Sequence, residues 1–124
     1  MPVLSAPGAP THELGGARFT SLATPSRGST DTSVWSVEIA PGTPGTSHRL
    51  TREEVFVVLD GCAEVLLGGE RSTAGPGDAI VVPPDVPFVI APVGEAPLRA
   101  VCCLPVGGQA QLSDGAPFTP PWAR

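Results

Sequence analysis

The stretch PGTPGTSHRLTREEVFVVLDG, residues 41–61, decides how the chain reads. Its first seven residues hold two Pro-Gly pairs, so neither a helix nor a central strand passes through them. Its last eight, EVFVVLDG, are an apolar run closed by Asp-Gly. Along that run Val55, Val57 and Leu59 alternate with Glu54, Phe56 and Val58. Both faces of the strand are apolar, which predicts a strand enclosed between two sheets. The Asp60-Gly61 pair, followed by a second apolar run over 62–67, predicts a hairpin.

The same grammar continues outward. Residues 17–23 read as a strand, 24–31 as a turn-rich loop and 32–40 as a second strand. In that strand Trp35, Val37 and Ile39 share one face, and the Trp face is assigned to the core. Downstream, Gly68-Gly69 marks a turn and residues 75–78 (GPGD) lead into a strand over 79–82. Pro83-Pro84-Asp85 turns the chain into a strand over 86–91, and the last clear strand covers 98–104. Seven or eight short strands, turn signals every dozen residues or fewer and no helical period predict an all-β sandwich or barrel. Residues 1–16, rich in Pro, Gly and Ala, read as a flexible N-terminal arm and 17–106 as the barrel. Residues 107–124, which include Phe118, Pro120, Pro121 and Trp122, read as an apolar tail packed on the barrel or on a partner subunit.

Composition narrows the function classes. The 124 residues allow one core. With 16 Pro, 15 Gly and only 15% charged residues, short strands joined by tight turns are favoured over long helices. The formal net charge is −5 and the seven Arg are scattered, so no basic stripe is present to meet nucleic acid or an anionic membrane. No apolar stretch approaches the ~20 residues of a spanning helix, and MPVLSA at the start lacks the regions of a secretory signal. A cytoplasmic protein is the expectation. The absence of Lys, Asn and Tyr suggests a GC-rich bacterial genome. Cys62, Cys102 and Cys103 leave one thiol unpaired in any disulfide scheme. Adjacent Cys102 and Cys103 point to opposite faces of a strand, so all three are read as reduced.

The spacing Gly42-x5-His48-x5-Glu54-x6-Gly61 resembles the first motif of the cupin superfamily. Gly77-x5-Pro83, within GPGDAIVVPPDVPFVI, resembles the second. The resemblance covers residues 30 to 105 and implies a cupin-type jelly-roll β-barrel (double-stranded β-helix), commonly a homodimer. In metal-binding cupins the first motif supplies two His and a Glu and the second a third His. The matching positions here are His48, Leu50, Glu54 and Phe88, and Asp85 replaces the usual Gly. Two of four donors survive, whereas an open site for zinc or non-haem iron usually has at least three protein ligands. The resemblance therefore implies a pocket without a metal cofactor. The alternative is a divalent Fe, Mn, Zn or Ni held by His48 and Glu54 with a third ligand from Glu38, His12 or a cysteine of the last strand.

In the family both surviving side chains face the barrel interior. Paired there, His48 and Glu54 suit general acid/base chemistry, with burial raising the carboxyl pKa; as a mutually satisfied relic they would do nothing. Trp35, Leu50, Phe56 and Phe88 are the candidate ligand-binding walls, although aromatic residues at alternating strand positions also serve as plain core. Three functions stay open: metal-independent isomerisation, cyclisation or decarboxylation of a small apolar or aromatic metabolite; non-catalytic binding or sensing of such a ligand; and a metal-dependent oxygenase with unusual ligands. No nucleotide-binding glycine loop, Cys-x-x-Cys or Gly-x-Ser-x-Gly motif competes with them.

Overall fold

A computed structural model describes residues 3–124. The described residues form eleven strands: β1 (Thr11–Leu14), β2 (Ala17–Ala23), β3 (Thr32–Ile39), β4 (His48–Leu50), β5 (Glu54–Asp60), β6 (Ala63–Leu67), β7 (Glu70–Ala74), β8 (Ala79–Val82), β9 (Phe88–Pro92), β10 (Leu98–Pro105) and β11 (Ala110–Leu112). They build a six-stranded sheet, β1-β2-β3-β10-β5-β8, and a five-stranded sheet, β11-β4-β9-β6-β7. Their pairings are antiparallel. This is the jelly roll the turn-and-strand pattern predicts.

The alternation in β3 is as expected. Trp35 and Val37 are buried and Glu38 is exposed, because the inner face of that sheet packs Trp35 and Val37 against Ala100, Cys102 and Leu104 of β10. A second apolar cluster lies mainly on the five-stranded sheet and includes Leu50, Val65 and Phe88. Phe56 and Ile39 touch both clusters. The sandwich is thus joined through the inward face of β5 and the end of β3.

Four expectations need correction. Asp60-Gly61 does not close a hairpin: β5 and β6 lie in different sheets, and the pair is the corner by which the chain crosses between them. Gly61 serves that corner with φ +81°, and a Cβ there would collide with the backbone of Pro97 and Leu98. The two-residue hairpin is instead at Gly68-Gly69, joining β6 to β7 with φ of +56° and +85°. These are the positive values a type I′ turn demands.

The N-terminal arm is shorter than predicted. Thr11–Leu14 pairs along β2, preceded by a single 3-10 turn at Ala6–Gly8, while residues 1–2 lie outside the described residues. β5 is not enclosed on both faces either. Glu54 and Val58 are buried, but Leu59 is 41% exposed on the outer surface. Finally, β4, β7 and β11 escape prediction. β7 (ERSTA) buries only Ala74, and the other two are three residues long, so none carries enough apolar alternation to register.

The C-terminal tail packs on its own barrel. Phe118 bridges Ala110 of β11, and the chain then crosses to the other sheet. There Ser21 donates to the Trp122 carbonyl and Ser33 to the Ala123 carbonyl, each at 2.8 Å. The Trp122 indole stacks flat on Phe19, with ring centroids 3.6 Å apart.

Candidate functional site

Between the sheets lies a cavity of about 610 Å3, within the range of small-molecule sites. Its wall is mostly aliphatic and aromatic and carries no Arg. Trp35, Leu50, Phe56 and Phe88, the predicted walls, all face it, as do His48 and Glu54. Period-2 geometry is the cause: His48 and Leu50 share one face of β4, and Glu54, Phe56 and Val58 share one face of β5.

Glu54 is 3% exposed. It has no ion pair or hydrogen bond to a protein group, and Ser29 Oγ is the fully buried side-chain polar atom left without a partner among the described residues. The Glu54 oxygens therefore open onto the cavity. Burial raises the carboxyl pKa to about 8, since removing water disfavours the charged form and no cation compensates. At neutral pH the group is chiefly the uncharged acid.

His48 follows the turn-rich loop, and its position is set by that loop. Nδ1 lies 2.8 Å from the Thr46 carbonyl. A carbonyl only accepts, so Nδ1 carries the proton and Nε2 of the neutral ring keeps its lone pair. The ring tilts against Phe88, with centroids 4.3 Å apart. Burial lowers the His48 pKa, opposed by the Thr46 hydrogen bond. His48 and Glu54 both line the cavity, with no direct hydrogen bond or ion pair between them.

The donor set does not fit a tightly held metal. Among the described residues no group of three or more His, Cys, Asp or Glu converges. Leu50 and Phe88, at the two vacated ligand positions, are each 2% exposed within the apolar core. Of the proposed third ligands, Glu38 faces outward beside Arg18 and Arg99, and His12 sits on β1 opposite Phe19, outside the cavity lining. Cys103 is half-buried and likewise outside that lining. Cys102 does line the cavity, but burial and then the nearby Glu54 charge push its thiol pKa up, away from the thiolate a metal needs. All three cysteines are free.

Sequence reasoning missed Phe19 and the Thr46 carbonyl, both of which shape the site. The apolar tail was visible, but nothing in it indicated that Trp122 would line the cavity. Thr46 acts through its backbone, which leaves no signal in residue type.

Residues 35–104 match the model of the cupin domain. The chain belongs to the cupin family. Among curated proteins this cupin is 36% identical over 53 residues to the uncharacterized protein MJ1618 of Methanocaldococcus jannaschii; the match covers 43% of this chain and 42% of that protein. The matched stretch thus spans less than half of the curated relative.

Solved structures share the fold at lower identity. The polyketide cyclase RemF from Streptomyces resistomycificus superposes with a TM-score of 0.79 at 18% identity, covering 94% of this chain and 87% of its own. KdgF from Halomonas sp. gives 0.71 at 22%, covering 82% and 92%. Salicylate 1,2-dioxygenase from Pseudoaminobacter salicylatoxidans with gentisate gives 0.71 at 18%, covering 86% of the cupin and 31% of that chain. No helix among the described residues is long and apolar enough to cross a membrane.

Proposed function

We propose that this cupin takes a small, uncharged, apolar or aromatic metabolite into the barrel and moves a proton on it without a metal. Glu54 acts as the acid and His48 as the base. The observation that carries the reading is the environment of Glu54: a carboxyl buried in an apolar cavity with no cation beside it, its pKa raised to about 8. Two groups whose surroundings push their pKa values apart from the ordinary ones, one held as acid and one as base, form an acid/base assignment.

For a ketone with an acidic α-carbon the step balances simply. The α C–H bond breaks and its proton passes to His48 Nε2, while the carbonyl oxygen receives the Glu54 proton and becomes an enol. Collapse of the enol at another carbon gives an isomerisation or, with an internal electrophile, a cyclisation. The fold shared with a polyketide cyclase supports this reading by analogy alone. The absence of any Arg from the cavity wall argues against carboxylate or phosphate ligands. Homodimerisation belongs to the same proposal, supported by Leu59 of β5 and Val81 of β8, 41% and 50% exposed on neighbouring strands.

The test uses 2-tetralone in D2O, with loss of the proton signal next to the carbonyl followed by NMR and binding followed by Trp fluorescence. Exchange above the buffer rate is expected, reduced roughly 10²–10⁴-fold in both His48→Ala and Glu54→Gln, the usual weight of general acid/base groups. Tetralone that binds without exchanging would favour the non-catalytic binding reading. That reading draws on the lack of direct contact between His48 and Glu54.

A further inference from the structure

Where the cavity meets solvent follows from the sheet order. β1 is one edge of the six-stranded sheet and β11 one edge of the five-stranded sheet, and Leu14 of β1 and Leu112 of β11 both line the cavity. The mouth therefore opens between these two edges. Residues 43–46 and Gly16 contribute to its wall, as do Phe118, Pro120 and Trp122 of the tail.

The rim of this mouth is unusual for a surface. Large hydrophobic residues exposed among the described residues are seven: Val3, Leu14, Leu59, Val81, Val93, Leu112 and Phe118. Three of them, Leu14 (65%), Leu112 (42%) and Phe118 (41%), also line the cavity. They are continuous with its wall, so they extend the apolar surface of the pocket out to solvent. Single exposed apolar residues need no explanation, but a set gathered on one opening does.

The register sets how far this rim is from the chemistry. Leu112 pairs with His48 across the β4–β11 ladder, and His48 pairs with Phe88 across the β4–β9 ladder. Directly opposed residues place their Cβ atoms about 5 Å apart on the same face. His48 thus stands one strand inside the lip, with Phe88 one strand deeper. A polar head seated against His48 leaves room for an apolar body to pass outward over Leu112.

We infer that the ligand is an elongated uncharged molecule whose polar head sits at His48 and Glu54 and whose apolar tail leaves the barrel between Leu14, Leu112 and Phe118. The inference rests on the proposed role of His48 and Glu54 for the head and on the apolar lip for the tail. It makes the lip a determinant of chain length, separate from the groups that move the proton.

A series from 4-methylphenol to 4-octylphenol tests it, with binding read from the fluorescence of Trp35 and Trp122, both of which line the cavity. Affinity should rise by up to roughly fourfold per added methylene while the chain still lies against the lip, the usual worth of a buried methylene. In Leu112→Ser and Phe118→Ser the increments of the longer phenols should be lost while 4-methylphenol binds as before. Leu112 and Phe118 belong to neither buried core cluster, so the variants should fold. Affinity that does not grow with chain length, or grows unchanged in both variants, overturns the inference. So does a dimer in sedimentation that Leu112→Ser dissociates, since the lip would then be a subunit interface. Failure of the head assignment has a different signature: His48→Ala and Glu54→Gln would leave every phenol of the series bound as tightly as in the parent protein.

Discussion

The four positions where the family gathers metal ligands divide into two halves that behave oppositely. Leu50 and Phe88 line the cavity as apolar wall, each 2% exposed and packed into one apolar cluster. His48 and Glu54 face the cavity and are held out of balance by it: burial lowers the imidazole pKa and raises the carboxyl to about 8. The apolar half holds the sheets together, and the polar half sets two titratable groups in the cavity at a cost to stability.

The largest effect that would break this comparison is at Phe88. It is fully enclosed and packs on both His48 and Phe56, so Phe88→Ala should cost about 3–5 kcal/mol of unfolding free energy by denaturant titration. A loss under about 1 kcal/mol would mean that the apolar half is not structural.

The polar half predicts a pH dependence of opposite character. The folded Glu54 carboxyl holds its proton up to about pH 8, while the unfolded one releases it near the ordinary value of 4.5. Between those pH values the folded state binds more protons than the unfolded state, so stability falls as pH rises through the window. Each pKa unit is worth about 1.4 kcal/mol, which makes the loss several kcal/mol. Glu54→Gln should flatten that slope and unfold later than the parent at pH 8–9. His48 works the other way on the acid side, since its lowered pKa removes stability as pH falls below 6.5.

The comparison can also be sharpened by erasing it. Leu50→His with Phe88→His would present three imidazoles and a carboxylate to one cavity, a donor set suited to zinc or nickel. Calorimetry should then show stoichiometric zinc uptake by the double variant and none of comparable affinity by the parent, with the smallest effect in either single variant.

Much of the fold was legible because Gly and Pro punctuate short apolar runs, and three strands, β3, β8 and β10, carry period-2 burial. What escaped did so for physical reasons. β7 is almost wholly polar because it is a sheet edge facing water. Asp60-Gly61 carries a hairpin's residues at a corner between sheets, and local sequence cannot tell the two apart. At the site, motif spacing placed His48, Leu50, Glu54 and Phe88 on one cavity, whereas the missing His48–Glu54 contact, the Thr46 anchor and the lip depend on packing between distant segments.

The central claim is that Glu54 is an uncharged acid in a metal-free pocket. A 13C NMR titration of its side-chain carboxyl, in protein purified without chelator, tests this most directly. The account predicts a midpoint near 8, unmoved by EDTA and shifted little by His48→Ala. A midpoint near 4–5, or one that reaches 8 only after EDTA has been added, would contradict it.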